Sequence, residues 1–164
     1  MTKTSSLSET GAEVIQLPIG KKERRRAEHK FGAPVMKHGY TMLPNLLLRA
    51  QGRLNIGHAE FNVLVHLVEH WWDADKNPYP AKELIARRMG KSPRTIQRYL
   101  TTLEEAKLIK RIERFHGHKG QTANAYSLDG LVAKLKAIEP EFQKVAEQKR
   151  LRQKKVESPT SGAA

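Results

Sequence analysis

Residues 81–106, AKELIARRMGKSPRTIQRYLTTLEEA, decide the fold that we predict for this chain. The pattern is typical of two short helices joined by a tight turn, because Gly90 suits the left-handed end of one helix and Ser92 suits the N-cap of the next. Between Arg87 and Thr102 the stretch carries five basic residues and no acidic residue. A surface of this kind favours binding to phosphate.

The second helix of this pair carries the candidate face for reading DNA bases. Its inward positions are apolar, and they are Ile96, Tyr99, Leu100 and Leu103. Its outward positions are the candidates for base readout, and they are Arg94, Gln97, Arg98 and Thr101. Arginine can bond two acceptors on guanine, glutamine can do the same on adenine, and threonine can touch the thymine methyl group. An ordinary solvated face is the less favoured alternative, since this face contains no Glu–Lys pair.

A second set of polar residues surrounds the turn and the sides of this helix. These residues are predicted to contact phosphate or to hold the turn, and they are Lys91, Ser92, Thr95 and Thr102. Their position near the helix N-terminus matches the way in which a recognition helix enters the major groove.

Upstream of the pair, a helix from Asn55 or Gly57 through Trp72 is predicted to form the core. Its apolar residues recur at steps of three and four, and they are Phe61, Leu64, Val65, Val68, Trp71 and Trp72, with Val63 and Leu67 widening the face. A shorter helix after Pro44, closed by Gly52, precedes it.

Two metal hypotheses arise in this region, and neither is favoured. The acidic loop at 73–80 places Pro78 where a calcium loop needs glycine and Leu84 where it needs glutamate. His66 and His70 are four residues apart on the core helix, but no third ligand is evident nearby. We therefore predict no metal site and no cofactor.

Downstream of the pair, a β-hairpin is predicted. The runs 108–115 and 123–128 are rich in β-forming residues and flank a loop that contains glycine. A hairpin directly after a recognition helix is a wing, and its candidate contacts to a flanking phosphate or the minor groove are Arg114, His116, His118 and Lys119. A plain polar loop is the alternative for the histidines.

The ends of the chain are predicted to lie outside this domain, which spans 39–128. Residues 1–38 lack apolar periodicity and are interpreted as a flexible arm, which either aids solubility alone or contacts DNA through Lys21, Lys22, Arg24, Arg25 and Arg26. Residues 129–153 predict a helix that kinks or restarts at Pro140. Its apolar positions alternate four and three apart, so it packs back on the domain or pairs with a second copy; they are Leu131, Leu135, Ile138, Phe142 and Val145. Residues 154–164 are predicted to be a disordered tail.

The composition limits the function classes. A formal net charge of +13 and a pI near 10.1 favour a nucleic-acid partner. Cysteine is absent, which excludes disulfides and thiol catalysis. The chain shows no secretory signal, no apolar run of the roughly 18 residues that span a bilayer, and no phosphate loop or nucleophile–base pair. We expect a cytoplasmic, nucleoid-associated protein that is not an enzyme and takes no small-molecule ligand.

The helix pair, the segment SPRTIQRYLTTLEEAKLIKR at 92–111 and the closing NAYSL at 124–128 together resemble the winged helix-turn-helix domains of small bacterial and phage DNA-binding proteins. The resemblance covers about residues 40–128. It implies a mainly α fold with a small β-hairpin (α+β) and a double-stranded DNA partner. Lys91 departs from the pattern, because an aliphatic residue is common there, and the turn should therefore be more exposed.

Three functions remain open from the sequence. The first is a transcriptional regulator that binds specific duplex DNA as a homodimer, for which the C-terminal helix is the candidate interface. The second is a replication initiator or partition protein of a plasmid or phage. The third is a winged-helix protein-interaction adaptor, in which the charge serves only solubility.

Overall fold

The computed structural model describes residues 21–115 and 122–157 of a chain that divides into two units, Met1–Thr41 and Met42–Ala164. The described part of the first unit contains α1 (Lys21–Phe31) and α2 (Ala33–Met36). The second unit contains, in chain order, α3 (Asn45–Arg49), a short 3-10 helix (Gln51–Arg53), α4 (His58–Glu69), α5 (Lys82–Met89), α6 (Pro93–Glu105), β1 (Lys110–Ile112), β2 (Ala125–Ser127) and α7 (Asp129–Glu157). The described residues are mainly helical with one small antiparallel sheet, which confirms the predicted fold class.

Helix α1 corrects the interpretation of residues 1–38 as a flexible arm, since residues 21–31 are helical. The prediction depended on the lack of apolar periodicity, which argues against a buried face but not against a helix. The segment consists largely of good helix formers, and the Arg24 guanidinium lies 3.1 Å from the Glu28 carboxylate one turn away. Gly32, with a φ of +84°, ends the helix and leads into α2.

The core of the second unit forms where α6 packs against both α4 and α5. Ile96, Leu100 and Leu103 lie on one side of α6 and are fully buried, because their spacing places them on a single helix face. Helix α5 contributes Ile85 and Ala86, and the small side chain of Ala86 suits the close approach of the two helices.

Helix α4 differs from the prediction in its end and in its buried face. It begins at His58 after Gly57, as expected, but ends at Glu69, and Trp72 is 36% exposed. The fully buried residues are Val63, Leu64 and Leu67. Phe61, Val65, Val68 and Trp71, which the sequence placed in the centre of the face, are only half-buried. The apolar stripe of α4 is broad, and packing with the rest of the core buries only one side of it. Which side is buried depends on the tertiary structure and not on the spacing of the apolar residues.

The loop at 73–80 ties the helices to the sheet. The Asp73 carboxylate accepts the backbone N–H of Asp75 at 3.2 Å and lies 3.3 Å from the Lys76 ammonium, which is the geometry of a solvated turn. Further along, Pro78 is buried, and its carbonyl accepts the backbone N–H of Tyr126 at 2.8 Å. The loop therefore adds one hydrogen bond to the open edge of β2.

The two histidines of α4 form hydrogen bonds along their own helix. The His66 Nδ1 atom lies 3.2 Å from the Glu69 carboxylate, and the His70 Nδ1 atom lies 2.9 Å from the His66 carbonyl. Over residues 21–115 and 122–157 no group of three or more potential ligands could hold a metal ion. In the same ranges no helix combines the length and the apolar character needed to cross a membrane.

The hairpin pairs β1 with β2 in an antiparallel register that sets Arg111 opposite Tyr126. The hairpin is anchored to the end of α6 by Glu104. The Glu104 carboxylate accepts the backbone N–H of Arg111 at 2.8 Å and the side-chain Nε–H of Arg111 at 2.6 Å. These bonds to Arg111 lower the pKa of Glu104 below its usual value. The predicted hairpin is confirmed, with strands shorter than the two sequence runs.

Helix α7 packs back on the domain with its first half only. Leu131 and Ile138 are buried, and Leu131 and Leu135 pack with the core. The helix continues without a break through Pro140 to Glu157, so the predicted restart at Pro140 is wrong, and residues 154–157, which were predicted to belong to a disordered tail, are helical. Proline removes one backbone donor, and the carbonyl left without it belongs to Lys136, whose exposed position gives water access to that carbonyl.

Candidate nucleic-acid interface

The turn between α5 and α6 is built as the sequence predicted. Gly90 has a φ of +62°, and the N–H of Lys91 donates to the Ala86 carbonyl at 2.9 Å, which ends α5. The Ser92 Oγ atom accepts the backbone N–H of Thr95 at 3.1 Å, so Ser92 is the N-cap of α6. Lys91 is exposed, as expected from the loss of the usual aliphatic contact.

Two substitutions of the N-cap residue Ser92 should distinguish an effect on folding stability from an effect on duplex binding. Replacing Ser92 with Ala removes the acceptor for Thr95 N–H and should lower the free energy of unfolding by about 1 kcal/mol, measured by urea denaturation. Ser92→Asp keeps an acceptor, so its stability should stay near that of the wild type. It also adds a negative charge to the basic face and should weaken duplex binding in a titration. A wild-type midpoint for Ser92→Ala would contradict the assignment of the cap.

The four predicted base-reading residues lie on one side of α6. Arg94 and Arg98 are exposed, and Gln97 and Thr101 are half-buried beside them. Helix positions that are three, four or seven residues apart share a face, so these four residues lie on the same side of α6. The fully buried Ile96 lies on the opposite side of the helix. The structure therefore brings these four side chains together at the N-terminal part of the helix.

The hydroxyl groups of the three threonines of α6 already form hydrogen bonds, and those of Thr101 and Thr102 act as donors. The Thr101 Oγ1–H donates to the Gln97 carbonyl at 3.0 Å, and the Thr102 Oγ1–H donates to the Arg98 carbonyl at 3.3 Å. Thr95 has its Oγ1 atom 2.9 Å from the Ser92 hydroxyl oxygen. A threonine bonded in this way offers its methyl group and its oxygen lone pairs to a ligand, so Thr101 suits a thymine methyl better than a base acceptor.

The basic residues of the helix pair fall into two groups. Arg88 is engaged, since its guanidinium lies 2.7 Å from the Glu69 carboxylate. In the part of the chain that the structure describes, no salt bridge involves Lys91, Arg94 or Arg98. These three charges are exposed around the start of α6, and phosphate or guanine can pair with them without breaking an existing bond.

At the base of the wing, Arg114 is held from two sides. Its carbonyl accepts the backbone N–H of Thr122 at 2.9 Å and the Thr122 hydroxyl at 3.2 Å. Its guanidinium lies 4.1 Å above the centre of the Tyr79 ring, which is a cation–π contact. The other predicted wing contacts, His116, His118 and Lys119, lie outside the described residues.

Tyr79 is a residue that the sequence reasoning did not select. It is 56% exposed although it lies between two buried prolines, Pro78 and Pro80. An aromatic residue between two prolines in a loop was the available signal, but the contact with Arg114 belongs to the tertiary structure, in which the loop is hydrogen-bonded to β2. Two further polar residues, Glu83 and Asn124, line a groove together with Gln97 between the start of α5, α6 and the wing.

The predicted arm contacts belong to the first unit. Lys22, Arg25, Arg26 and His29 line one open cleft along α1. Arg24 is bonded to Glu28, and the side chain of Lys21 is outside the described part of the chain. This cleft places three of the five predicted arm cations together.

Comparison with protein families assigns the helix pair and the core helix to a known class. Residues 54–109 match a family model described as a helix-turn-helix domain. The match contains α4, α5, α6 and the turn that Gly90 and Ser92 build. With the hairpin that follows α6, this part of the chain has the architecture of a winged helix-turn-helix domain.

Comparisons with whole proteins add little to this assignment. A search of curated proteins found no match. Among solved structures, the chain is similar to the crystal structure of transcriptional regulator PA3341, with 21% sequence identity and a TM-score of 0.37. That alignment covers 82% of this chain and 88% of the other.

Proposed function

We propose that this protein is a non-enzymatic, sequence-specific duplex-DNA-binding protein that regulates transcription in a bacterium or a mobile element, at the nucleoid. The observation that carries the proposal is the face of α6, where Arg94 and Arg98 are exposed and free of salt bridges to described residues, next to Gln97 and Thr101. In the major groove, the arginines would bond guanine, Gln97 would bond adenine, and Thr101 would contact a thymine methyl group.

The residues around this face would fix the position of the domain on the duplex. Lys91 would contact phosphate beside the exposed N-terminus of α6, and Ser92, Thr95 and Thr102 would hold the turn and the flanks of the helix. At the wing, Arg114 would contact a flanking phosphate or the minor groove, with His116, His118 and Lys119 on the same loop. The cations of α1, Lys22, Arg25 and Arg26, would add contacts without sequence preference.

We infer further that two copies occupy one two-fold site, because a single small module rarely supplies the affinity of a specific site. The mass of the protein at micromolar concentration, with and without its duplex, checks this inference. A monomeric mass in both conditions would contradict it.

The direct test of the proposed function is selection of bound sequences from random duplexes, followed by mapping of bound sites in cells. Enrichment of one motif, with an affinity that falls steeply as salt rises, supports sequence-specific DNA binding. Sites at isolated promoters support regulation of transcription, whereas an array of repeats at an origin would support replication initiation. Binding that does not change between low and moderate salt would instead favour the protein-interaction adaptor.

The contact between Tyr79 and Arg114 predicts a graded effect on binding. Tyr79→Ala should weaken duplex binding by about 0.5–1 kcal/mol, because the guanidinium loses the ring that orients it. Tyr79→Phe retains a ring and should bind almost as the wild type does. Fluorescence anisotropy on one duplex measures both variants. In an Arg114→Ala background the effect of Tyr79→Ala should vanish, and a full second loss there would show that Tyr79 acts independently of Arg114.

A further inference from the structure

The two halves of α7 have different surroundings. The first half contains the buried Leu131 and Ile138, and the bidentate contact between Arg53 and Glu141, at 2.8 and 3.0 Å, ties the middle of the helix to the 3-10 helix before α4. From residue 143 to residue 157 every side chain is exposed, including Val145, at 66%, and Val156, at 86%. These 15 residues extend the helix by about 22 Å at the usual rise per residue.

The charge of this second half is strongly positive. Residues 143–157 contain two acidic residues, Glu147 and Glu157, and six basic ones, which are Lys144, Lys149, Arg150, Arg152, Lys154 and Lys155. Duplex DNA presents one negative charge per about 1.7 Å of its axis, so a segment as long as this half-helix offers about a dozen phosphates. The charge and the length of the segment thus match a duplex backbone.

The same residues argue against a second copy of the chain as the partner of this half. The apolar positions of the first half alternate four and three apart through Phe142 and Val145, and the next positions in that series are Lys149 and Arg152. A parallel pair of helices would place these like charges against each other in its seam, which is unfavourable. The seam therefore loses its apolar character where the helix leaves the domain.

We propose that residues 143–157 form a second DNA-binding surface, which contacts the phosphate backbone outside the bases that α6 reads. The inference rests on the proposed function, since it adds non-specific contacts to a specific complex. Helix α7 starts beside the C-terminal end of α6, where Leu131 N–H donates to the Leu108 carbonyl at 2.8 Å, whereas the reading face lies toward the N-terminal end. The two surfaces share no residue, and they differ in kind: one reads bases and the other adds affinity that depends on salt.

The test compares salt dependence of binding to a duplex of about 40 base pairs that carries the preferred site. Neutralising four cations in K149Q/R150Q/R152Q/K155Q should reduce the slope of log affinity against log salt by up to about 3.6, at about 0.9 per lost phosphate contact. The ratio of affinities for the preferred and a scrambled site should remain the same. Thermal unfolding of the variant should match that of the wild type, because all four side chains are exposed.

A matched pair of variants controls for charge alone. K149Q/R152Q and K134Q/K136Q each remove two cations from α7, the first pair from the exposed half and the second from the packed half. Only the first pair should reduce the salt slope. Equal slopes for the quadruple variant and the wild type would overturn the inference, and they would leave the proposed function intact provided that the wild type still selects its site.

The alternative, in which this half of α7 pairs with a second copy of the chain, is tested by covalent cross-linking. The chain contains no cysteine, so Lys149→Cys introduces a single thiol. If α7 formed a parallel seam, the two thiols would face each other and oxidation would give a covalent dimer in high yield. That result would overturn the DNA contact. Little covalent dimer, together with the reduced slope of the quadruple variant, supports it.

Discussion

Replacing Arg94 with Ala should weaken binding to the preferred duplex by about 1–3 kcal/mol and relax the sequence preference at one base position. Arg94 lies in the first turn of α6, is exposed, and takes part in no salt bridge with a described residue. Its guanidinium can therefore offer two parallel hydrogen bonds to guanine, and the alanine variant loses both at once. Selection of bound sequences with the variant, beside titration of the wild-type motif, measures preference and affinity together.

Arg88→Ala is the matched control for Arg94→Ala. Both variants lose one positive charge from the same helix pair, but the Arg88 guanidinium is bonded to Glu69 at 2.7 Å. Arg88→Ala should lower affinity slightly through the general field and leave the selected motif the same. If Arg94→Ala selects the wild-type motif, Arg94 does not read a base. If both variants lose affinity equally, the effect of Arg94 is one of charge alone.

The second large effect concerns stability. Gly130→Ala should lower the free energy of unfolding by about 2–3 kcal/mol, because the added methyl group would overlap the backbone of the segment between α6 and β1. A Cβ atom at Gly130 would lie against the Lys107 carbonyl oxygen and 3.2 Å from that of Leu108. Backbone atoms cannot move aside as a flexible side chain can, so the first turn of α7 must shift. The shift would also strain the bond from Leu131 N–H to the Leu108 carbonyl.

Gly52→Ala is the control for this prediction. Gly52 lies in the 3-10 helix, and a Cβ atom built there has no neighbour within 4 Å. Its substitution should change stability by less than about 0.5 kcal/mol. Urea denaturation of both variants gives the comparison. The folded fraction of Gly130→Ala should still bind duplex DNA, because α7 contributes no residue to the candidate base-reading face of α6. Equal midpoints for the two variants would show that α7 has room for a side chain at position 130.

The helix pair is the part of the fold that the sequence determined by itself. Gly90 permits a left-handed backbone, Ser92 supplies a cap, and the apolar positions of α6 alternate with basic ones, and each of these signals acts within a few residues. Local geometry of this kind depends little on the remainder of the chain. For the same reason the candidate face of α6 could be predicted, because helical spacing alone places Arg94, Gln97, Arg98 and Thr101 together.

Other features were decided only by tertiary structure. The stripe of α4 is apolar over a wide angle, and its packing against α6 and the rest of the core leaves Val63, Leu64 and Leu67 as its buried part. Tyr79 contacts Arg114 in a tertiary arrangement in which the loop at 73–80 is hydrogen-bonded to β2. These contacts join residues that are distant in the sequence, and no spacing rule relates them.

Helix α7 shows both kinds of determination in one element. The spacing of its apolar residues predicted the helix, because that signal is local. Whether the helix packs back or extends away depends on where the surface of the domain ends. The structure places this limit after the half-buried Phe142, next to Glu141, which is paired with Arg53; Ile138 is buried and Val145 is exposed. The sequence by itself thus determined the main helices of the second unit, the turn and the basic face, through interactions between near neighbours. The tertiary structure decided which apolar faces are covered and which charges remain available to DNA, because burial and pairing depend on distant parts of the chain.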